Sequence, residues 1–196
     1  MLNLVLNIKS ISTCQCKNNN IYFGLQIDKG VDSMRKLEVF FDYICPFCLM
    51  GHGRLAELLP QYPDIEVVWR PCESHPRPEE NKHSDLCIQG MFYALEQGID
   101  SWVYNKRIFD AIFVERVDIE NPKALSRSVR KLLNPDAFLE AIESGKYEKA
   151  LKEANEYAFQ KSGVWVLPAY RMDGKRLDSV ENVGVTKQQL VDFLKD

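Results

Sequence analysis

The chain has 196 residues, an apolar fraction of 45% and a formal net charge of −3, which is enough for one compact unit with a large core. Its basic residues are scattered rather than striped, and this argues against nucleic acid as the main partner. No apolar run is long enough to span a bilayer, so a membrane is not an expected partner either.

The first 33 residues differ in character from the rest. Met1-Leu2-Asn3-Leu4-Val5-Leu6 is apolar, but no positive charge precedes it and Lys9 interrupts it, which makes a poor secretory signal. Ile11-Ser12-Thr13-Cys14 has a faint likeness to a lipoprotein cleavage site, with Thr13 ill suited to the place before an acylated cysteine. Cys16-Lys17-Asn18-Asn19-Asn20 reads as linker or disorder. Lys29-Gly30 can be encoded by a purine run of the ribosome-binding type, and Met34 follows shortly, just before the first convincing strand. The expectation is that Met34 is the natural start, that residues 1–33 are a disordered or mis-started leader, and that the protein is cytoplasmic.

From Met34 onward the pattern is strand, helix, strand, a helical stretch, a hairpin and a last helix. Leu37 to Asp42 has the β-branched and aromatic content of a buried strand. A helix is predicted from Pro46 to about Leu59, closed by Pro60, Pro63 and Asp64, and Ile65 to Trp69 forms a second strand. A strand-helix-strand unit this short predicts a right-handed crossover with parallel strands, placing the end of the second strand at the same sheet edge as Cys45. Residues 76–83 read as a loop. Ser84, Ser101, Asn121-Pro122 and Asn134-Pro135 are successive helix-start signals, giving four or five helices up to about Lys161. Ala169 to Met172, the turn Asp173-Gly174, and Arg176 to Val180 read as a hairpin. Thr186 to Gln189 is a capping-box pattern opening the C-terminal helix.

The strongest chemical signal is Cys45-Pro46-Phe47-Cys48, between the first strand and its helix. Pro46 suits the first helical position, because its missing N–H would be unpaired there, and this makes Cys45 the cap. A thiolate at that place is stabilised by free backbone N–H groups and the helix dipole. Cys48, one turn away, can close a disulfide with it, the minimum apparatus for thiol–disulfide exchange. The same spacing can hold half of a zinc site. Cys72-Glu73-Ser74-His75 supplies a second half, with Cys72 and His75 as its ligands, so the motif alone leaves both readings open. Cys72 otherwise reads as a small buried hydrophobe, with a redox relay to Cys48 or Cys87 as a third use; Cys87 reads as core. His52 reads as an exposed helix residue. His75 and His83 read as solvated loop residues, and Trp69, Trp102, Trp165, Phe92, Tyr93, Phe109 and Phe113 as core. Asp42 reads as structural, a cap or a partner of Arg54 or Arg70.

A second signal is Val166-Leu167-Pro168, just before the hairpin, where a proline belongs at a strand's start or at a special turn. Leu167-Pro168 resembles the cis-proline that faces the reactive disulfide in thioredoxin-fold proteins. The combined order is similar to the layout of the DsbA family. The wording Asp42-Tyr43-Ile44-Cys45-Pro46-Phe47-Cys48-Leu49-Met50-Gly51, with Trp69-Arg70-Pro71 after the next strand and Asp110 to Asp118 later, resembles its FrnE-like branch.

This resemblance, over about residues 36–195, implies an α/β fold: a thioredoxin domain (residues 34–75 and 162–196) with an all-helical domain (residues 76–161) inserted between the second and third strands. It implies a disulfide oxidoreductase with Cys45 as attacking thiol and Cys48 as resolving thiol. Pro46, Phe47, Leu167 and Pro168 would be the substrate-binding surface, and Asp42 and Cys72 accessory residues. The substrates implied are proteins or low-molecular-weight thiols and disulfides. No metal and no cofactor beyond the disulfide are implied, with glutathione a candidate co-substrate. Four positions depart from the family: Leu167 stands where Val or Thr is common, Trp165 nearby is also unusual, Val39 stands where relatives often bury an acid, and Phe47 where strongly oxidising members have His. Loss of that histidine predicts a less oxidising potential. The same superfamily includes kappa-class glutathione transferases and 2-hydroxychromene-2-carboxylate isomerases, which generally carry Ser at the first active position; a glutathione-dependent isomerase or transferase is therefore the alternative function.

Overall fold

The computed structural model describes residues 34–74 and 82–195. Leu37, Val39, Phe40 and Phe41 are each at most 2% exposed. Burial on both faces is what a central strand requires, and β1 (Arg35–Phe41) is central in a four-stranded sheet of order β2-β1-β3-β4. Its parallel neighbour β2 (Ile65–Pro71) follows α1 (Pro46–Leu58) and a 3₁₀ turn at Leu59–Gln61. Antiparallel pairing joins β1 to β3 (Ala169–Met172) and β3 to β4 (Lys175–Asp178).

The register sets Phe41 beside Pro71, and the Cys72 N–H extends the ladder by donating to the Phe41 carbonyl at 2.9 Å. β2 thus runs past Trp69 to end at the same sheet edge as Cys45. Pro71 is tolerated because β2 is an edge strand, where one missing ladder donor leaves nothing unpaired.

Among the described residues, five helices lie between β2 and β3: α2 (Asp85–Glu96), α3 (Ser101–Phe113), α4 (Pro122–Ser128), α5 (Pro135–Glu143) and α6 (Glu148–Glu156), the last continuing as a π-helical turn over Tyr157–Lys161. This is a thioredoxin fold with an all-helical insertion between the second and third strands. Asn121 and Asn134 accept from the N–H groups of Lys123 and Ala124 and of Asp136 and Ala137, each with proline at the first helical position. α3 is capped not by Ser101 but by Asp100, whose carboxylate takes the Trp102 N–H at 2.8 Å. The C-terminal helix α7 (Lys187–Lys195) opens on a reciprocal capping box between Thr186 and Gln189. Among the described residues no helix is long and apolar enough to cross a membrane.

An aromatic cluster docks the insertion on the sheet. The Phe41 ring meets Tyr43 and Trp69 edge-on at 5.1 and 5.4 Å, and Phe109 of α3 lies 5.6 Å from Tyr43. His52 of α1 belongs to this cluster and is 9% exposed rather than solvated, with Trp102 at 4.9 Å and Trp69 at 5.3 Å. Burial lowers its pKa to about 4, so the ring packs as a neutral aromatic. Trp165 departs in the other direction: it is 65% exposed. Phe109, at 1% exposure, bridges insertion and sheet, so Phe109→Ala is expected to destabilise the protein by about 3–5 kcal/mol in denaturant unfolding; a loss near zero would mean that this cluster does not hold α3 in place.

Candidate active site

Cys45 occupies the cap position of α1 in an extended conformation (φ −81°, ψ 116°), with Pro46 as the first helical residue. Both thiols of the pair are free, Cys45 half-buried and Cys48 buried. Their pKa values are driven in opposite directions. The Cys48 thiol donates to the Cys45 sulfur, and the backbone N–H groups of Cys48 and Phe47 add to it. Together these lower the Cys45 pKa against the opposing effects of burial and the Asp42 charge. Burial pushes Cys48 well above the ordinary thiol range, and its proton shared with Cys45 pushes the same way. The Asp42 N–H lies 3.5 Å from the Cys48 sulfur. The result is a partly accessible sulfur with enhanced thiolate character beside a buried sulfur that keeps its proton, the asymmetry that thiol–disulfide exchange needs.

The loop before β3 faces this pair. The Leu167-Pro168 peptide is cis, and the Leu167 carbonyl oxygen is 3.7 Å from the Cys45 sulfur. The Pro168 carbonyl accepts from the Ser179 hydroxyl at 2.5 Å, which fixes the loop against the segment after β4. Gly51 explains the close approach of α1, since a Cβ there would sit 2.5 Å from the Tyr170 hydroxyl and 3.3 Å from Pro168. Phe47 lies against Gly184, at φ +76°, where a Cβ would come within 2.8 Å of the ring. Phe47, Leu167 and Trp165 line a groove of about 440 Å³ that opens on Cys45.

Beneath the pair lies Asp42, fully buried. One carboxylate oxygen accepts from the Ile44 N–H at 3.2 Å and the Ser84 hydroxyl at 2.6 Å; the other accepts from the Ser74 N–H at 2.7 Å and the Ser74 hydroxyl at 2.8 Å. The arginines expected as its partners are engaged elsewhere, Arg70 with Glu38 at 2.6 Å and Arg54 with the Val185 carbonyl. Asp42 therefore joins the active-site loop, the segment after β2 and the first inserted helix. Ser84 spends its hydroxyl on this task rather than on capping α2.

The chain is similar to known proteins. A family model described as "DSBA-like thioredoxin domain" matches residues 36–191. The chain belongs to that family. Among curated relatives, the uncharacterised YwbO of Bacillus subtilis is 23% identical over 171 residues, covering 68% of this chain and 84% of its own. Among solved structures, a 2-hydroxychromene-2-carboxylate isomerase superposes with a TM-score of 0.66 at 14% identity, over 82% of this chain and 93% of that one. The DsbA of Chlamydia trachomatis gives 0.63 at 14%, over 82% and 85%. At these identities the two structures share the fold of this chain, and the DSBA-like assignment rests on the family model.

Within this DSBA-like domain the remaining candidates separate. Cys72 is buried directly after β2, and its thiol is pushed far up by burial first and then by Asp42; Cys87 is likewise buried in α2 and pushed up by burial. Neither is a thiolate source at neutral pH. Among the described residues no group of three or more His, Cys, Asp and Glu side chains is placed to hold a metal ion, and His75, the fourth member of the zinc reading, lies outside the described residues. His83 is not free in solvent but sits 3.5 Å from Glu73. Sequence reasoning missed Phe159, and it read Trp165 as core while noting it as unusual beside Pro168; the two rings pack with centroids 6.4 Å apart beside the groove. The π-helical turn carrying Phe159 is of a kind common at functional sites, but no spacing in the chain announces it.

Two outcomes follow from these contacts. Cys48→Ala removes the thiol that donates to Cys45, so the Cys45 pKa should rise, as read by thiolate absorbance against pH; an unchanged or lower value would show that the helix N-terminus alone sets it. Asp42→Asn turns an amide donor toward Ser74 or Ser84 and should cost ~1–3 kcal/mol in denaturant unfolding through unpaired buried groups, whereas a change within the experimental error would remove Asp42 from the structural framework.

Proposed function

We propose that this protein is a thiol–disulfide oxidoreductase that works through Cys45 and Cys48 on protein or low-molecular-weight thiol substrates. The observation that carries the reading is the pair itself: a half-buried sulfur with a lowered pKa, hydrogen-bonded by a buried thiol whose pKa is raised, at the start of one helix.

In the reducing direction the Cys45 thiolate attacks one sulfur of a substrate disulfide. That S–S bond breaks, one substrate sulfur leaves as a thiolate and takes up a proton, and a mixed disulfide joins Cys45 to the other. Cys48 then loses its proton and attacks the Cys45 sulfur, expelling the second substrate thiolate and closing the Cys45–Cys48 disulfide. Two electrons pass from protein to substrate, and the oxidising direction is the same path reversed. Leu167 and Pro168, facing Cys45, would hold the substrate backbone, with Pro46 and Phe47 as the opposite wall. Phe47 adds no charge to stabilise the Cys45 thiolate, which supports a potential less oxidising than that of members with His there and suits a cytoplasmic setting. A glutathione-dependent isomerase or transferase is the competing reading; the presence of two thiols rather than one nucleophile favours exchange, with glutathione as co-substrate.

Titration in glutathione redox buffers, with mass-tag trapping of thiols and peptide mapping, tests the proposal. A reversible Cys45–Cys48 disulfide with a defined potential is expected, absent in Cys45→Ser and replaced by a trapped mixed disulfide in Cys48→Ser. A pair that stays reduced across the whole buffer range would overturn it.

A further inference from the structure

The register that sets Val39 of β1 beside Tyr170 of β3 turns both side chains to one face of the sheet. Tyr170 is fully buried there, and its hydroxyl makes no hydrogen bond among the described residues. It meets α1 at Gly51, where a Cβ would sit 2.5 Å from the hydroxyl oxygen. Gly51 follows Cys48 by three residues and both are buried, so they share one face of the helix. The Tyr170 hydroxyl therefore ends about one helical turn from the resolving thiol.

A buried hydroxyl without a partner costs stability, and such a group calls for a reason. Cys48 supplies one. In the reduced protein the Cys48 thiol directs its proton at the Cys45 sulfur. Once Cys45 is joined to a substrate sulfur it no longer carries charge, and Cys48 must become a thiolate in a place where burial opposes that form most and the Asp42 charge opposes it further. A buried anion needs donors. The Asp42 N–H, 3.5 Å from the Cys48 sulfur, is one, and Val39 has none to offer. The phenol keeps its proton in this position: burial raises the Tyr170 pKa, a charge on Cys48 raises it next, and Arg54 of α1 works against both.

We propose that Tyr170 is a positioning residue for the resolving step, its hydroxyl donating a hydrogen bond to the Cys48 sulfur as that sulfur becomes a thiolate. The inference rests on the exchange reading and adds to it a residue for the second half of the reaction. In that half Cys48 loses its proton and attacks the Cys45 sulfur, the bond from Cys45 to the substrate breaks as the Cys45–Cys48 bond forms, and the expelled substrate thiolate takes up a proton. Tyr170 keeps its own proton throughout. A hydrogen bond to an ionised acceptor is about twice as strong as one between neutral groups, so the hydroxyl favours the thiolate over the thiol. The charged groups that act on the two side chains are Asp42 before α1, Cys45 at its start and Arg54 within it.

Stopped-flow reaction of the reduced protein with the symmetrical disulfide of thionitrobenzoate separates the two halves. The full chain carries Cys14→Ser and Cys16→Ser, which leaves Cys45 half-buried beside three buried thiols. Attack by Cys45 releases a first coloured thionitrobenzoate at a rate that scales with reagent concentration; attack by Cys48 on the resulting mixed disulfide releases a second at a rate that does not. Tyr170→Phe removes only the hydroxyl. It should slow the second release about tenfold, the loss of one hydrogen bond to a charged group, with the first release unchanged and the denaturant midpoint of the reduced protein no lower. An unchanged second release, or one slowed together with the first or with a lower midpoint, would overturn the role of Tyr170 while leaving the exchange chemistry intact. Absence of a reagent-independent second release from the protein with Tyr170 in place would overturn both.

Discussion

The buried carboxylate of Asp42 is the constraint around which the candidate active site is built. An ionised group out of water is tolerated only when its oxygens are fully hydrogen-bonded, and here two backbone N–H groups and two serine hydroxyls provide this. Those donors come from the loop before α1, the segment after β2 and the entry to the helical insertion, the last two 32 and 42 residues from Asp42. Satisfying one charge therefore fixes where the insertion begins relative to the first turn of α1, and so fixes the floor under Cys45 and Cys48.

The same charge works against the thiolates above it. Asp42 raises the pKa of both cysteines, yet Cys45 ends below the ordinary thiol range because the donors aimed at it outweigh burial and charge together. Cys48 has no such set and stays protonated. Two chemically identical side chains, one helical turn apart, thus take opposite characters from depth and hydrogen-bond direction alone. The lowered pKa of Cys45 is the net of opposed electrostatic contributions, with hydrogen bonds to its sulfur on one side and burial and the Asp42 charge on the other.

Features governed by local chemistry were legible in the sequence. The Asn-Pro starts of α4 and α5, the Thr186–Gln189 capping box and the order of the strands all depend on neighbours within a few residues, and each stands where the pattern places it. The Cys45–Cys48 pair at the start of α1 and the loop at Pro168 were legible for the same reason. What was not legible depends on distant partners. His52 looked exposed because nothing in α1 reveals that Trp69 and Trp102 close over it, and Trp165 looked like core because apolar size says nothing about which surface a loop presents. The choice of Asp100 over Ser101 as the α3 cap turns on one position between two residues of capping type. The Asp42 network spans separations of 32 and 42 residues, beyond any local spacing rule.

The outer strand of the sheet has a consequence of another kind. β4 is short and mostly exposed, and it carries Lys175, Arg176 and Asp178, with Asp178 held by Arg171 of β3 at 2.7 Å and by Arg176 at 3.3 Å. An open strand edge offers unpaired N–H and C=O groups to any extended chain, and charged side chains with a short span make that offer poor. An extended chain that paired along such an edge would lengthen the sheet and could template aggregation. With β4 blunted in this way, an incoming chain finds little to pair with at that margin, and the sheet terminates in its own ion pairs instead of growing by one more strand.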